Sequence, residues 1–304
     1  MTAFPQQRVP GQIQVCEWRL NMKRSKEPNL TNFAATLLNA MGINAPMHMS
    51  GAVLPLAEEI RAKAGGDVEK AFIFHVDAVP AYIVEAYPEL FEAVRRHTQI
   101  CGDFNAVMPS VTPVCFGAMY SGAYPDENGV PCYLPPTLTP ELIQPRISCT
   151  TVIEALVQAG KKVAVFTCSN GCIASMLYGR GADMFIIDGD DDETMYRAAD
   201  EALKQDRYDV IFLYQLSFDY TQHEYGPKSA EALNVLKTLT GRFESIAQHA
   251  CAVWKDYRRL IVFNSDHGCH EVHDDSNHKG MHGDEIPEDM QMKWFFGAFS
   301  EENC

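Results

Sequence analysis

Apolar residues along the chain fall into short unbroken runs separated by longer amphipathic stretches. The runs are Ala71–Asp77, Lys162–Cys168, Met184–Asp188, Tyr208–Tyr214 and Arg259–Asp266. Runs this short, apolar at consecutive positions, predict strands buried on both faces. Between them, helical spacing marks Pro80–Arg96, Thr150–Ala159, Glu193–Lys204 and Ser229–Lys255. Alternation of strand and helix predicts an α/β fold, with a mostly parallel central sheet and helices on both faces. In such sheets ligands gather beyond the carboxyl ends of the strands. Asp77 and Asp266 close two runs and Asp219 closely follows a third, so all three are expected along one edge. Residues 69–304 would form this core domain. Residues 1–68 read as an N-terminal extension packed on or capping it, with a helix opened by Asn29-Leu30-Thr31 and continued through Phe33, Leu37, Leu38 and Met41.

Composition narrows the classes. With 304 residues, 46% hydrophobic and 21% charged, the chain is neither disordered nor fibrous. The net charge of −15 argues against a nucleic-acid polymer as partner. A small phosphorylated substrate is still compatible, because bound divalent ions reverse the local field. No apolar run is long enough to span a bilayer, and the first residues lack the apolar core of a secretory signal. The ten cysteines are too dilute for a disulfide scaffold and form no CxxC pair. A reduced, cytoplasmic protein with mostly buried thiols is the expectation.

Metal-capable side chains concentrate in Asp77, in Asp219-Tyr-Thr-Gln-His223, in Ser265-Asp266-His267-Gly268 and at His282. Carboxylate and imidazole suit a borderline divalent ion. Asp219 and His223, four apart, could share one ion from a helical turn or a tight loop. Asp266 and His267 are adjacent and could serve two ions or bracket one. Met108–Gly122 reads as a loop or strand turning into a helix, with Thr112 at its N-cap and Pro113 at the first helical position. A hydroxyl there faces free backbone N–H groups and the positive helix pole, a favourable place for a phosphoryl oxygen. Coordination to a metal would make this threonine a nucleophile.

Asp77, the run PSVTPVCFGAMYSGAYP (109–125), FDYTQHEYGP (218–227), SDHG (265–268) and KGMHG (279–283) stand in one order along the chain. On these segments, over roughly residues 70–300, it resembles the alkaline phosphatase superfamily, most closely the type I phosphodiesterase/nucleotide pyrophosphatase branch. The resemblance implies two divalent ions, zinc-type, with manganese or iron also accepted by such ligands. Asp77, Asp266 and His267 would fall on one ion together with Thr112, and Asp219, His223 and His282 on the other. It further implies a phosphoric ester hydrolase in which Thr112 is phosphorylated and then freed by hydroxide. Two departures leave the substrate open between a phosphodiester, a phosphomonoester and a phosphonate. Asn128-Gly129-Val130 replaces a His-Gly-Ile-like tripeptide, and Pro131–Thr139 holds no clear counterpart of the asparagine many diesterases place there. The pocket around residues 126–147 carries no readable specificity. A phosphomutase would need an inserted domain, for which the interval 112–219 is short. A non-catalytic metal module would keep the ligands without needing Thr112.

Other signals are weaker. His270, His273 and His278 could form an accessory metal site, but a polar, solvated loop is the expected reading. HEVH (270–273) is one residue short of a zincin spacing. Asp188–Glu193 lacks the glycine and terminal glutamate of a calcium loop and reads as an acidic helix start. There is no Walker A, no GxSxG, and no sulfatase signature around Cys115. His75, inside an apolar run, is expected to be a core histidine.

Overall fold

The computed structural model describes residues 27–130, 147–169, 171–273 and 277–301. Its centre is a seven-stranded sheet built from β1 (Lys70–Val76), β2 (Ile100–Asn105), β3 (Val163–Cys168), β4 (Asp183–Ile187), β5 (Val210–Gln215), β6 (Arg259–Asn264) and β9 (Gln291–Phe299). Two short strands, β7 (His270–Glu271) and β8 (Gly280–Met281), form a separate antiparallel ribbon. The order in the main sheet is β2-β9-β6-β1-β5-β3-β4. β1 runs parallel to β5 and β6, and β3 parallel to β4 and β5. β9 runs opposite to the other six strands of this sheet.

β1, β3, β5 and β6 are buried at every position, which explains their unbroken apolar runs. Side chains alternate between the faces of a strand. Phe74 meets Phe243 of the helix Ala230–Val253, while the next residue, His75, meets Phe116 of the helix Thr112–Ser121. The helices Asn32–Ala40 and Leu54–Ala64 pack on each other, and the second lies against β9 and β6.

Three differences from the sequence expectation have physical causes. β2 and β9 were not legible as strands. β2 is a half-exposed edge without a continuous apolar run, and β9 opens on the exposed Gln291 and a Lys. The predicted helix Pro80–Arg96 is instead three pieces, Ala81–Ala86, a 3₁₀ turn Pro88–Phe91, and Glu92–Arg96. Pro88 supplies no N–H and disfavours helical backbone at Tyr87, whose φ of −127° and ψ of 58° interrupt the helix. At the third, Val111 occupies the N-cap with extended backbone, and Thr112 and Pro113 are the first two helical residues. Thr112 therefore makes no side-chain cap, and its hydroxyl is available elsewhere.

Among the described cysteines, Cys101, Cys115, Cys149, Cys168, Cys172 and Cys269 are free thiols. Cys251 is disulfide-bonded, so the expectation of reduced thiols does not extend to it. No described helix is long and apolar enough to cross a membrane.

Candidate active site

Parallel pairing of β1 with β5 and β6 brings the carboxyl ends of the three strands to one edge. Asp77 follows β1 directly, and Asp266 and His267 follow β6 after a two-residue step. Asp219 and His223 lie one turn apart on the helix Ser217–Tyr225, which continues from β5. Thr112 opens its helix after β2, and His282 follows β8. Asp77, Asp219, Asp266 and His267 are buried, and His223 and His282 are half-buried.

Two groups of ligand-type atoms result. One is Asp77, Asp266 and His267, and the other is Asp219, His223 and His282. In the first, His267 Nε2 lies 3.4 Å from Asp77 Oδ1 and 3.3 Å from Asp266 Oδ2. In the second, Asp219 Oδ2 is 3.4 Å from His223 Nε2, and Asp219 Oδ1 is 3.5 Å from His282 Nε2. Thr112 Oγ1 is 3.2 Å from His267 Nε2 and 3.5 Å from Asp77 Oδ2. The rings of His267 and His282 stack at 4.1 Å, so the two groups are neighbours.

The tautomers follow from the backbone. His223 Nδ1 faces the Gly280 carbonyl at 2.8 Å, His267 Nδ1 the Gly268 carbonyl at 2.9 Å, and His282 Nδ1 the Ser110 carbonyl at 3.0 Å. A carbonyl only accepts, so each Nδ1 carries a proton and Nε2 is the nitrogen each ring turns toward the carboxylates. Without a proton or a metal ion between them, that nitrogen would aim a lone pair at an anion. Ligands about 2.0–2.2 Å from a tetrahedral zinc stand about 3.3–3.6 Å apart, the spacing found in both groups. Asp77 Oδ1, Asp219 Oδ1 and Asp266 Oδ2 are buried without a hydrogen-bond partner, which is unfavourable for the protein alone. The residues present fit two divalent ions.

Electrostatics agree. Burial, and then the carboxylates of Asp266 and Asp219, raise the Asp77 carboxyl well above the usual range. Burial pushes Asp266 the same way, but His267 and His75 overcome it and hold that acid low. Burial also opposes ionisation of Asp219, which His223 and His282 reverse. Burial and the neighbouring His267 push His282 down to about 3. Without added positive charge, then, this edge does not hold three carboxylates ionised on equal terms.

The ribbon and loops that carry these groups are tightly fitted. A Cβ on Gly280 would stand 2.5 Å from the Gln222 carbonyl oxygen, and one on Gly268 1.9 Å from that of Glu288. Lys279 N–H donates to the His223 carbonyl at 2.8 Å, fastening β8 to the helix Ser217–Tyr225.

Sequence reading missed several supporting residues. His75 is a core histidine as expected, buried with Nδ1 facing Asn264 Oδ1 at 2.9 Å, and its Nε2 also lies 3.6 Å from Asp266 Oδ1. Its position two residues before Asp77, on the same face of the chain, was the available signal. Tyr214 donates its hydroxyl hydrogen to Asp77 Oδ2. Gln222 donates to the Ala78 carbonyl at 2.8 Å, holding an alanine whose φ is +58°. Asn128, at the departure from the His-Gly-Ile-like tripeptide, is fully buried and spends its amide on Ser121 and on the backbone of Ala123 and Val130. The asparagine sought in Pro131–Thr139, and most of the pocket region 126–147, lie outside the described residues.

The histidine-rich loop divides. His270 Nδ1 lies 2.8 Å from Asp289 Oδ1, and the other Asp289 oxygen accepts Asp284 N–H at 3.0 Å. Although His270, Asp284 and Asp289 gather, the buried carboxylate already has protein partners. His273 and His278 are exposed, as the solvated-loop reading expects. At the acidic stretch 188–193, Asp191 caps the helix Asp192–Lys204 by accepting from Glu193 and Thr194 N–H.

Known proteins resemble this chain at three levels. A family model described as type I phosphodiesterase / nucleotide pyrophosphatase matches residues 72–300. GPI ethanolamine phosphate transferase 1 of Neurospora crassa is 36% identical over 91 residues, 30% of this chain and 8% of that protein. The protein of the same name from Chaetomium globosum is 33% identical over 95 residues, 31% and 9% respectively. The chain thus matches less than a tenth of the length of either relative. Phosphonoacetate hydrolase from Sinorhizobium meliloti 1021, solved with phosphonoformate and with phosphonoacetate, superposes with a TM-score of 0.51 at 18% identity. That likeness covers 68% of this chain and 58% of the hydrolase, and it is one of fold.

Proposed function

The chain belongs to the type I phosphodiesterase/nucleotide pyrophosphatase family, and from that premise we propose that it is a two-metal phosphoric ester hydrolase with Thr112 as nucleophile. The observation that carries the reading is the convergence of three imidazole Nε2 atoms and three carboxylates beside one threonine hydroxyl. Asp77, Asp266 and His267 would hold one ion and Asp219, His223 and His282 the other, with zinc as the leading candidate and manganese or iron as alternatives. Such ions lower the pKa of a hydroxyl they touch and offset charge on phosphoryl oxygens.

The protein's own groups do the rest. Position at the start of a ten-residue helix sets Thr112 Oγ1 where the helix pole favours an anionic phosphoryl group. The backbone tethers on His223, His267 and His282 fix which ring nitrogen each histidine presents. Thr112 Oγ1 bonds to phosphorus as the ester P–O bond breaks, and the leaving oxygen takes the electron pair. Water then cleaves the phospho-threonine, returning the hydroxyl and releasing phosphate or a monoester. Positioning and charge stabilisation dominate such transfers.

Transfer to an alcohol instead of water is the second reading, favoured by the partial likeness to two ethanolamine phosphate transferases. The test is a substrate panel of bis- and mono-nitrophenyl phosphate and a phenylphosphonate, with and without added ethanolamine or glycerol, on wild type and Thr112→Ala. Turnover that requires Thr112 supports the proposal, and phosphate recovered on the alcohol selects transfer. A zinc-loaded protein inert toward every ester overturns it.

A further inference from the structure

Tyr214 has no part in the reaction just described, yet its hydroxyl donates to Asp77 Oδ2. It lies near the end of β5, in register with His75 of β1, so strand pairing itself sets the phenol beside Asp77. The ring is edge-on to Phe116 at 5.3 Å and stacked with His75 at 5.9 Å, which fixes its direction. A carboxylate oxygen accepts, so the phenol is the donor of this hydrogen bond.

The consequence is an asymmetric carboxylate. Asp77 Oδ2 accepts from Tyr214 and, at a longer 3.5 Å, from Thr112 Oγ1, while Oδ1 is buried without a partner, 3.4 Å from His267 Nε2. Asp266 is divided in the same way: Oδ1 accepts Ala78 N–H at 3.3 Å, and the unpartnered Oδ2 lies 3.3 Å from His267 Nε2. The terminal torsion of an aspartate is broad, so an unheld carboxylate would turn. A donor on one oxygen settles which oxygen is presented.

We infer that Tyr214 is a positioning residue that orients Asp77 so that Oδ1 faces the ion shared with Asp266 and His267. The inference rests on the two-metal reading above. Its test is Tyr214→Phe, which removes the donor and keeps the ring, made in the full chain. Zinc affinity of both sites is measured by chelator competition, and the melting temperature is measured on the metal-free protein. One of the two affinities should fall about 10–100-fold, the other should be unchanged, and the metal-free melting temperature should be retained. Equal zinc affinities in wild type and Tyr214→Phe overturn the inference while leaving the two-metal reading standing. Wild type that binds no zinc overturns both.

Discussion

The His282 ring gives its Nδ1 proton to the carbonyl of Ser110 at 3.0 Å, two residues before Thr112. This bond ties the Asp219/His223/His282 group to the segment that carries Thr112. His282→Ala should reduce bound zinc from two ions per chain to one, and also leave the Ser110 carbonyl without its partner. Turnover is expected to fall about 10²–10³-fold, in line with removal of one preorganised electrostatic contact. Metal analysis alongside steady-state kinetics checks both effects.

Thr112→Ala should retain both ions, because six side chains other than threonine make up the two groups. Ester turnover should nevertheless fall about 10⁴-fold or more, as for loss of a nucleophile in a concerted unit. Thr112→Ser should recover part of it. Acid-quenched wild type should carry phosphate on the peptide containing Thr112, which mass spectrometry detects.

The pH dependence of metal binding has a definite sign. In the metal-free fold Asp77 binds its proton more tightly than an exposed aspartate, and an ion must displace that proton. Binding should therefore release protons, and affinity should rise with pH. The metal-free protein should also lose stability as pH climbs from the ordinary carboxylate range toward the raised Asp77 value, since the unfolded chain there holds fewer protons. Calorimetry in buffers of different ionisation enthalpy, with melting curves against pH, measures both.

Two glycines separate site effects from fold effects. Gly280→Ala places a Cβ against the Gln222 carbonyl and should displace β8 from the His223 ring it tethers. The affinity of the Asp219/His223/His282 group is expected to drop about 10-fold or more. Gly297→Ala places a Cβ 2.1 Å from the His97 carbonyl oxygen, remote from the site. It should cost about 1–3 kcal/mol of stability with zinc content unchanged.

What could be read from the chain depended on whether a role was local. Asp77 and Asp266 were legible because each terminates an apolar run, and parallel pairing sends such ends to one edge. Asp219 and His223 were legible as a pair four apart, and the structure places them on a helix. Tyr214 and His75 were not, because their roles arise only when β5 and β1 lie side by side. Gln222 and Ala78 were hidden for a related reason, since the left-handed backbone of Ala78 is held by a side chain 144 positions away. β9 was missed because it opens on the exposed Gln291 and a lysine, which interrupt the apolar run Trp294–Phe299 behind them. The shift of Thr112 from the cap to the first helical position is a one-residue boundary effect, and it leaves the hydroxyl without a capping role.

The most direct test is anomalous diffraction, above and below the zinc absorption edge, from crystals of zinc-loaded protein. The account predicts two peaks, one touching Asp77, Asp266, His267 and Thr112 Oγ1, the other touching Asp219, His223 and His282. Crystals of catalytically active protein with no anomalous density at either group would contradict it.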